Sequence, residues 1–131
     1  SRVAVVLADL ASIDPGGSWA NRPIRSLVNI FLPWHVQTAA KFDKRKAAIK
    51  AVIKNQPKIG WSLLLELLPR ECQTTIGSCR PIWRDFIPLD WKDGVFQYEY
   101  LEQTTALSEL VIDLAKEDVD KFIELIERLS N

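Results

Sequence analysis

KFDKRKAAIKAVIKNQPKIGWSLLLELL, at residues 41–68, carries the clearest helical pattern in the chain. In residues 39–55 the apolar side chains recur every three or four positions and lysines occupy the opposite side, which is typical of an amphipathic helix. Pro57 interrupts that pattern. Residues 58–68 are apolar nearly all round, as in a buried helix. This stretch therefore predicts two consecutive helices.

The same spacing predicts further helices on both sides of this pair. The predicted segments are residues 2–14, 24–32, 97–116 and 119–130. The sequence Asp14-Pro15-Gly16-Gly17 ends the first of them, and Asp118 is placed to cap the last. Only residues 94–98 hint at a strand. The predicted fold class is all-α.

Successive helices fall into three antiparallel pairs, and the first two pairs resemble each other. Residues 2–6 are similar to residues 45–49, an offset of 43 positions, and Trp19 and Trp61 each open the second helix of a pair. Paired helices that repeat about every 40 residues are typical of an α-solenoid. We expect a HEAT-like or tetratricopeptide-like solenoid, with a single irregular helical bundle as the alternative.

Residues 69–96 fit no helix or strand and are predicted to form one long irregular loop. The loop contains three Pro, two Gly, both Cys and two Trp. Tryptophan and arginine are enriched at binding hot spots. The candidate partner-binding residues are Arg80, Trp83, Arg84 and Trp91. The alternative is that the tryptophans fill the core and the arginines are solvated.

The chain is neutral, with 17 Lys+Arg and 17 Asp+Glu, but its charges are segregated. Residues 41–60 hold seven basic residues and one acid, a net charge of +6, and residues 95–131 hold nine acids and three bases, a net charge of −6. The candidate basic patch is Lys44, Arg45, Lys46, Lys50, Lys54 and Lys58. It could contact nucleic acid, attract the acidic region of another copy, or be a solvated helix face.

Composition indicates one globular domain and no membrane anchor. With 131 residues, 47% hydrophobic and 26% charged, the chain is long enough for one core. No apolar run is long enough to span a membrane and no signal peptide is visible, so we expect a cytoplasmic protein. The chain contains no Met. We therefore interpret residues 1–131 as a piece of a much larger protein, with a trimmed small protein as the alternative.

The sequence offers little for catalysis. His35 is the only histidine, and it follows Pro33-Trp34 at a helix end, where packing or capping suits it better than proton transfer. Cys72 and Cys79 lack the partner ligands of a zinc site, although they could form a disulfide. No glycine-rich phosphate-binding motif is present. We expect no enzymatic activity, no metal and no cofactor.

Several motifs resemble one bacterial protein family. They are residues 8–23 (ADLASIDPGGSWANRP), Phe31-Leu32-Pro33-Trp34, Gln37-Thr38, residues 44–48, Gly60-Trp61 and residues 65–69. Together they look like the C-terminal helical region of large antiviral STAND ATPases of bacterial antiphage defence. The resemblance covers roughly residues 3–88, and His35-Val36 departs from it.

The resemblance implies a sensor role. Proteins of this family join an effector and a nucleotide-binding switch to a long helical sensor. A module like this one would recognise a protein partner, such as a phage protein or other domains of its parent chain. The alternatives from the residues themselves are a nucleic-acid contact through residues 41–60 and a structural or oligomerisation spacer.

Overall fold

The computed structural model describes residues 2–35, 37–69 and 94–130, and it is all-helical over these ranges. Six helices are present there: α1 Arg2–Ser12, α2 Pro23–Phe31, α3 Phe42–Asn55, α4 Pro57–Leu67, α5 Gln97–Lys116 and α6 Val119–Leu129. The predicted all-α fold class is confirmed. The hint of a strand at residues 94–98 is wrong, because α5 begins inside that stretch. Most of the predicted irregular loop, residues 70–93, lies outside the described residues.

The helices pack in sequence-adjacent pairs around α4. Helix α1 contacts α2, α3 contacts α4, and α5 contacts α6. Across the pairs, α1 also lies against α3, and α2 lies against α4. Helix α4 contacts α1, α2, α3 and α5, and its Leu63, Leu64 and Leu67 are completely buried. The apolar residues of α4 are thus the centre of the hydrophobic core.

Helices α3 and α4 approach each other closely at Gly60. A Cβ atom built on Gly60 would lie 2.6 Å from the Cα atom of Ile53 in α3. Since real Cβ atoms do not come this near a backbone atom, only glycine permits the observed spacing of the two helices. Pro57 occupies the first turn of α4, where its missing N–H group costs no hydrogen bond.

The connection between α1 and α2 is fixed by polar contacts. Gly16 and Gly17 have φ values of +85° and +117°, which only glycine adopts without strain. The Asp14 carboxylate accepts hydrogen bonds from the Gly16 backbone N–H at 3.0 Å and from Arg22 Nε at 2.9 Å. The hydrogen bond from Arg22 and the one from Gly16 hold the pKa of Asp14 below its usual range. Both ends of the Asp-Pro-Gly-Gly to Asn-Arg-Pro segment therefore have a structural role.

Two apolar stripes do not face the core as amphipathic helices usually do. On α1 the core contacts are made by Ala4 and Ala8, while Val3 and Val6 are exposed. On α6 only Leu125 is buried. The apolar stripe of Val119, Phe122, Ile126 and Leu129 faces outward. Small alanines let α1 lie close to its neighbours, so Leu7 packs against the core while most of the larger side chains are left on the outer face.

Two further details differ from the sequence-based expectations. The helical spacing of residues 97–116 predicts that Leu101, Leu107 and Val111 face inward; Leu107 and Val111 are buried, but Leu101 near the helix start is exposed. Trp61 is buried within α4, whereas Trp19 lies before α2 and is 82% exposed. The two tryptophans therefore do not occupy equivalent places, and this part of the similarity between the first two pairs is not structural.

Candidate protein-binding surface

A groove lies where α2, α4 and α6, the second helices of the three pairs, come together. It encloses about 320 Å³. Its walls combine apolar side chains with charged ones from all three helices: Ile24, Arg25, Val28, Ser62, Leu65, Glu66, Glu124 and Arg128. Concave sites of this size with a few polar groups are the usual form of a binding pocket. The groove is therefore a candidate binding site formed by described residues of three helices.

Helix α6 is attached to α4 at two polar points that frame the groove. Trp61 Nε1 donates a hydrogen bond to Glu124 Oε2 at 2.6 Å. Arg128 Nη2 donates to Glu66 Oε1 at 3.2 Å and to the Leu65 carbonyl oxygen at 3.4 Å. Such charge-assisted hydrogen bonds are stronger than neutral ones and fix geometry. The hydrogen bonds of Glu124 and Arg128 therefore hold α6 in place at the side of the groove.

The start of α6 is fixed by Asp118. The Asp118 carboxylate accepts hydrogen bonds from the backbone N–H groups of Asp120 and Lys121, as the sequence predicted for an N-cap. Lys121 Nζ also lies 3.1 Å from Asp118 Oδ2. The bond to the Lys121 side chain, followed by those to the backbone, lowers the pKa of Asp118. The same ammonium lies 6.0 Å from the centre of the Trp61 ring, which links the cap to α4.

The groove offers both signs of charge around an apolar floor. Leu65 is buried and Val28 is half-buried, so an apolar side chain of a partner would be desolvated there. Arg25 lines the same groove and is exposed, while Arg128 is held by Glu66. Guanidinium and carboxylate groups at the rim suit the polar backbone and mixed charges of a peptide or protein surface. Among the described residues, no group of three His, Cys, Asp or Glu side chains is placed to hold a metal ion.

The structure separates the residues of the predicted basic patch. Lys46, Lys50 and Lys54 follow one another at four-residue spacing along one side of α3, whereas Lys44 points away from that line. Lys58 is an exposed residue in the first turn of α4. Three lysines of the patch thus form a continuous row.

Arg45 does not contribute exposed charge to the patch. It is only 7% exposed, its Nε has no hydrogen-bond partner, and its guanidinium carbon lies 5.7 Å from the centre of the Phe42 ring. Burial lowers the pKa of Arg45, and the nearby Glu99 carboxylate partly offsets this effect. A flexible basic residue in an amphipathic helix gives no sequence signal that it will turn inward.

The other predicted site residues cannot be placed. Arg80, Trp83, Arg84 and Trp91 lie outside the described residues, and so do Cys72 and Cys79. His35 is half-buried in the connection between α2 and α3. The groove itself was not found from the sequence, because Arg25, Glu66 and Glu124 are spaced like ordinary surface charges. The sequence offered one signal for it, which is Trp61 among the leucines of α4. A buried indole N–H needs a hydrogen-bond acceptor, and here the acceptor is Glu124 of α6.

No helix within the described ranges combines the length and apolar character needed to cross a bilayer. In comparisons with known proteins, no protein-family model, no curated protein sequence and no solved structure matches this chain.

Proposed function

We propose that this chain is a non-catalytic helical-repeat module that recognises a protein partner through the groove between α2, α4 and α6. The groove is the observation that carries the proposal, because α2 and α4 contribute its apolar floor and all three helices contribute its charged rim. A partner would bury one apolar side chain against Val28 and Leu65 and pair its polar groups with the rim.

The contacts between the first two pairs support a solenoid arrangement. In a stack of helical pairs, first helices neighbour first helices and second helices neighbour second helices. Helices α1 and α3 are such neighbours, and so are α2 and α4. In the third pair, α6 is joined to α4 by polar contacts, whereas the backbone packing on α4 is made by α5. A layer of this kind presents a long surface that can match a folded partner.

The resemblance to antiviral STAND ATPases favours a sensor role inside a larger cytoplasmic protein. In that role the partner is a phage protein, and its binding would be passed to a switch elsewhere in the parent chain. The most specific part of the resemblance includes Asp14 and Arg22, which form an ion pair at 2.9 Å. The ion pair gives this part of the resemblance a structural role. Neither Asp14 nor Arg22 lines the groove, so the groove is available to a partner.

Capture from lysates of phage-infected and uninfected bacteria tests the proposal. The purified chain is compared with Ser62→Tyr, which fills the groove from an exposed position on α4. The matched control is Thr105→Tyr, which adds the same side chain at an exposed position of α5 that does not line the groove. We expect a phage protein that binds the unchanged chain and Thr105→Tyr but is lost with Ser62→Tyr.

Two results would contradict this function. One is the absence of any protein that distinguishes infected from uninfected lysate, and the other is equal capture by Ser62→Tyr and Thr105→Tyr. The same assay with Trp83→Ala and Arg84→Ala shows whether the segment after α4 contributes to the binding. Loss of the partner in these variants, with Ser62→Tyr unaffected, would move the binding surface to that segment.

A nucleic-acid contact is the second candidate, favoured by the row of Lys46, Lys50 and Lys54. Within the described ranges no carboxylate forms an ion pair with these three lysines. Binding through them would weaken with salt, at a logarithmic slope of roughly −2 to −3 for three phosphate contacts. Titration of duplex DNA and single-stranded RNA across salt concentrations tests this. Lys50→Glu should abolish the binding while Lys116→Glu on α5 should leave it unchanged, and binding that does not respond to salt would exclude phosphate contacts.

A further inference from the structure

Arg25 differs from the other charged residues at the rim of the groove, because those already have partners within the chain. The rim carries two guanidinium groups and two carboxylates, so its formal charges cancel. Arg128 is paired with Glu66 at 3.2 Å, and Glu124 accepts a hydrogen bond from Trp61 at 2.6 Å. Within the described part of the chain no ion pair involves Arg25, which is exposed on α2. The α2 side of the groove therefore offers a partner unpaired hydrogen-bond donors.

This arrangement selects a partner that brings an anionic group. A guanidinium presents five N–H donors in a fixed fork and no acceptor, so a carboxylate can receive two parallel hydrogen bonds from it. A cationic group of a partner would instead compete with Arg128 for Glu66, or with Trp61 for Glu124. The pairing pattern thus gives the groove a charge preference although its net charge is zero.

The start of α2 favours the same sign of charge. Arg25 lies in the first turn of α2, and the N-cap residue Arg22 makes no side-chain hydrogen bond to that turn. The first N–H groups of a helix have no partner within the helix, and the helix dipole there attracts negative charge. A carboxylate bound by Arg25 would therefore lie in a favourable backbone field as well.

The carboxylate and the apolar group of a partner must be about one helical turn apart. Arg25 and Val28 both line the groove and are three positions apart on α2, which is about 4.5 Å along the helix axis. Leu65 of α4 completes the apolar floor. On a partner helix, side chains three or four positions apart are neighbours on one face, about 5–6 Å apart. A helix thus presents the two groups at the required separation.

The walls of the groove also favour a helix over an extended chain. Within the described ranges the secondary structure is helical, so an extended segment would find no sheet edge to pair with along α2, α4 and α6. The sides of α4 and α6 offer side chains to a partner, because backbone groups within a helix bond to each other. An amphipathic helix laid into a groove is the recognition mode that relies on side chains.

We propose that the partner segment is an amphipathic helix that carries an aspartate or glutamate one turn away from a large apolar residue. Its carboxylate pairs with Arg25, and its apolar side chain is buried against Val28 and Leu65. The inference rests on the proposed function, since it specifies the chemistry of the partner for the same groove.

Titration of the full chain with three synthetic peptides tests this proposal. The peptides are otherwise identical alanine-based helices of about 16 residues with blocked ends, and they carry one leucine with glutamate, glutamine or lysine four positions away. The indole N–H resonance of Trp61 reports binding, because this group is bonded to Glu124 at the side of the groove. We expect the glutamate peptide to bind about tenfold more tightly than the glutamine peptide, and the lysine peptide to bind least tightly.

Reversing the charge of Arg25 identifies the group that the peptide contacts. Arg25→Glu should invert the order, so that the lysine peptide binds more tightly than the glutamate peptide. The matched control is Lys116→Glu, which makes the same charge change at an exposed position of α5 outside the groove and should leave the order unchanged. Raising the salt concentration should narrow the difference between the glutamate and glutamine peptides, since salt screens an ion pair at the surface.

Three outcomes would overturn the proposal. These are no binding of the glutamate peptide up to millimolar concentration, equal affinity for the three peptides, and an unchanged order with Arg25→Glu. Circular dichroism checks that each variant is helical, and Arg25→Gln repeats the test if the charge reversal disturbs folding.

Failure of this inference is distinguishable from failure of the proposed function. A protein that is captured from lysate, is lost with Ser62→Tyr and binds Arg25→Gln as tightly as the unchanged chain would overturn the carboxylate contact and support the groove. Equal capture by Ser62→Tyr and Thr105→Tyr would instead overturn both.

Discussion

Helices α4 and α6 each have 11 residues and are rich in leucine, isoleucine and other large apolar side chains, yet they differ in what they bury. Helix α4 buries six residues, whereas α6 buries only Leu125. Helix α4 is covered by α1, α2, α3 and α5, while α6 packs on α5 and is tied to α4 by polar contacts. Apolar content alone therefore does not determine burial. The number of neighbouring helices does.

The largest expected effect is the difference in stability lost when one apolar side chain of each helix is truncated to alanine. Leu64→Ala in α4 removes a completely buried side chain and should lower the free energy of unfolding by about 3–4 kcal/mol. Ile126→Ala in α6 removes a half-exposed side chain and should cost less than about 1 kcal/mol. Urea denaturation at low protein concentration measures both. Equal costs would show that α6 is as well covered as α4.

The next effect concerns the close contact of α4 with α3. Gly60→Ala adds a methyl group that collides with the Ile53 backbone, so it should destabilise the fold by about 1–3 kcal/mol although alanine is the better helix former. The matched control is Ser62→Ala, at an exposed position of the same helix. Thermal unfolding of the two variants checks this. A melting temperature for Gly60→Ala at or above that of the control would contradict the spacing of the two helices.

A smaller effect is expected where α4 and α6 meet. Trp61→Phe keeps most of the buried ring but removes the donor to Glu124, which should cost about 1 kcal/mol and loosen α6. Amide hydrogen exchange should accelerate in α6 and not in α3. Trp19→Phe serves as the control, since Trp19 is largely exposed. If exchange in α6 were unaffected, the indole–carboxylate bond would have no part in holding that helix.

The smallest effect is a pH dependence confined to the start of α6. Because the pKa of Asp118 is lower in the folded chain than in the unfolded one, its contribution is present above about pH 4 and is lost as the pH falls through the folded value. The protection of α6 amides, meaning the ratio of the intrinsic exchange rate at each pH to the measured rate, should therefore fall below about pH 4. Asp118→Asn keeps an N-cap that does not titrate, so the loss of protection should be weaker in that variant. An identical pH profile in both would assign the effect to another group.

Much of the fold follows from local patterns in the sequence. The helix at residues 97–116 has the predicted bounds, and Asp118 caps α6 as expected, because both depend on nearby residues alone. Asp14-Pro15-Gly16-Gly17 ends α1 for the same reason. The repeat arrangement of the pairs remains a prediction.

The directions of the side chains could not be predicted in the same way. Helical spacing shows that Val3 and Val6 share a face, but it does not say whether that face meets the core. That depends on Ala4 and Ala8, whose small size lets α1 approach its neighbours. The groove was missed for a related reason. Its charged residues come from helices far apart in sequence, and only their packing brings them together.

The bond between Asp14 and Arg22 has a mechanical consequence. It joins the end of the first helix to the start of the second across eight positions, with the two glycine turns folded inside. Because α1 and α2 also pack on each other, a displacement of α1 would be passed to α2 both by their side-chain contacts and by this ion pair.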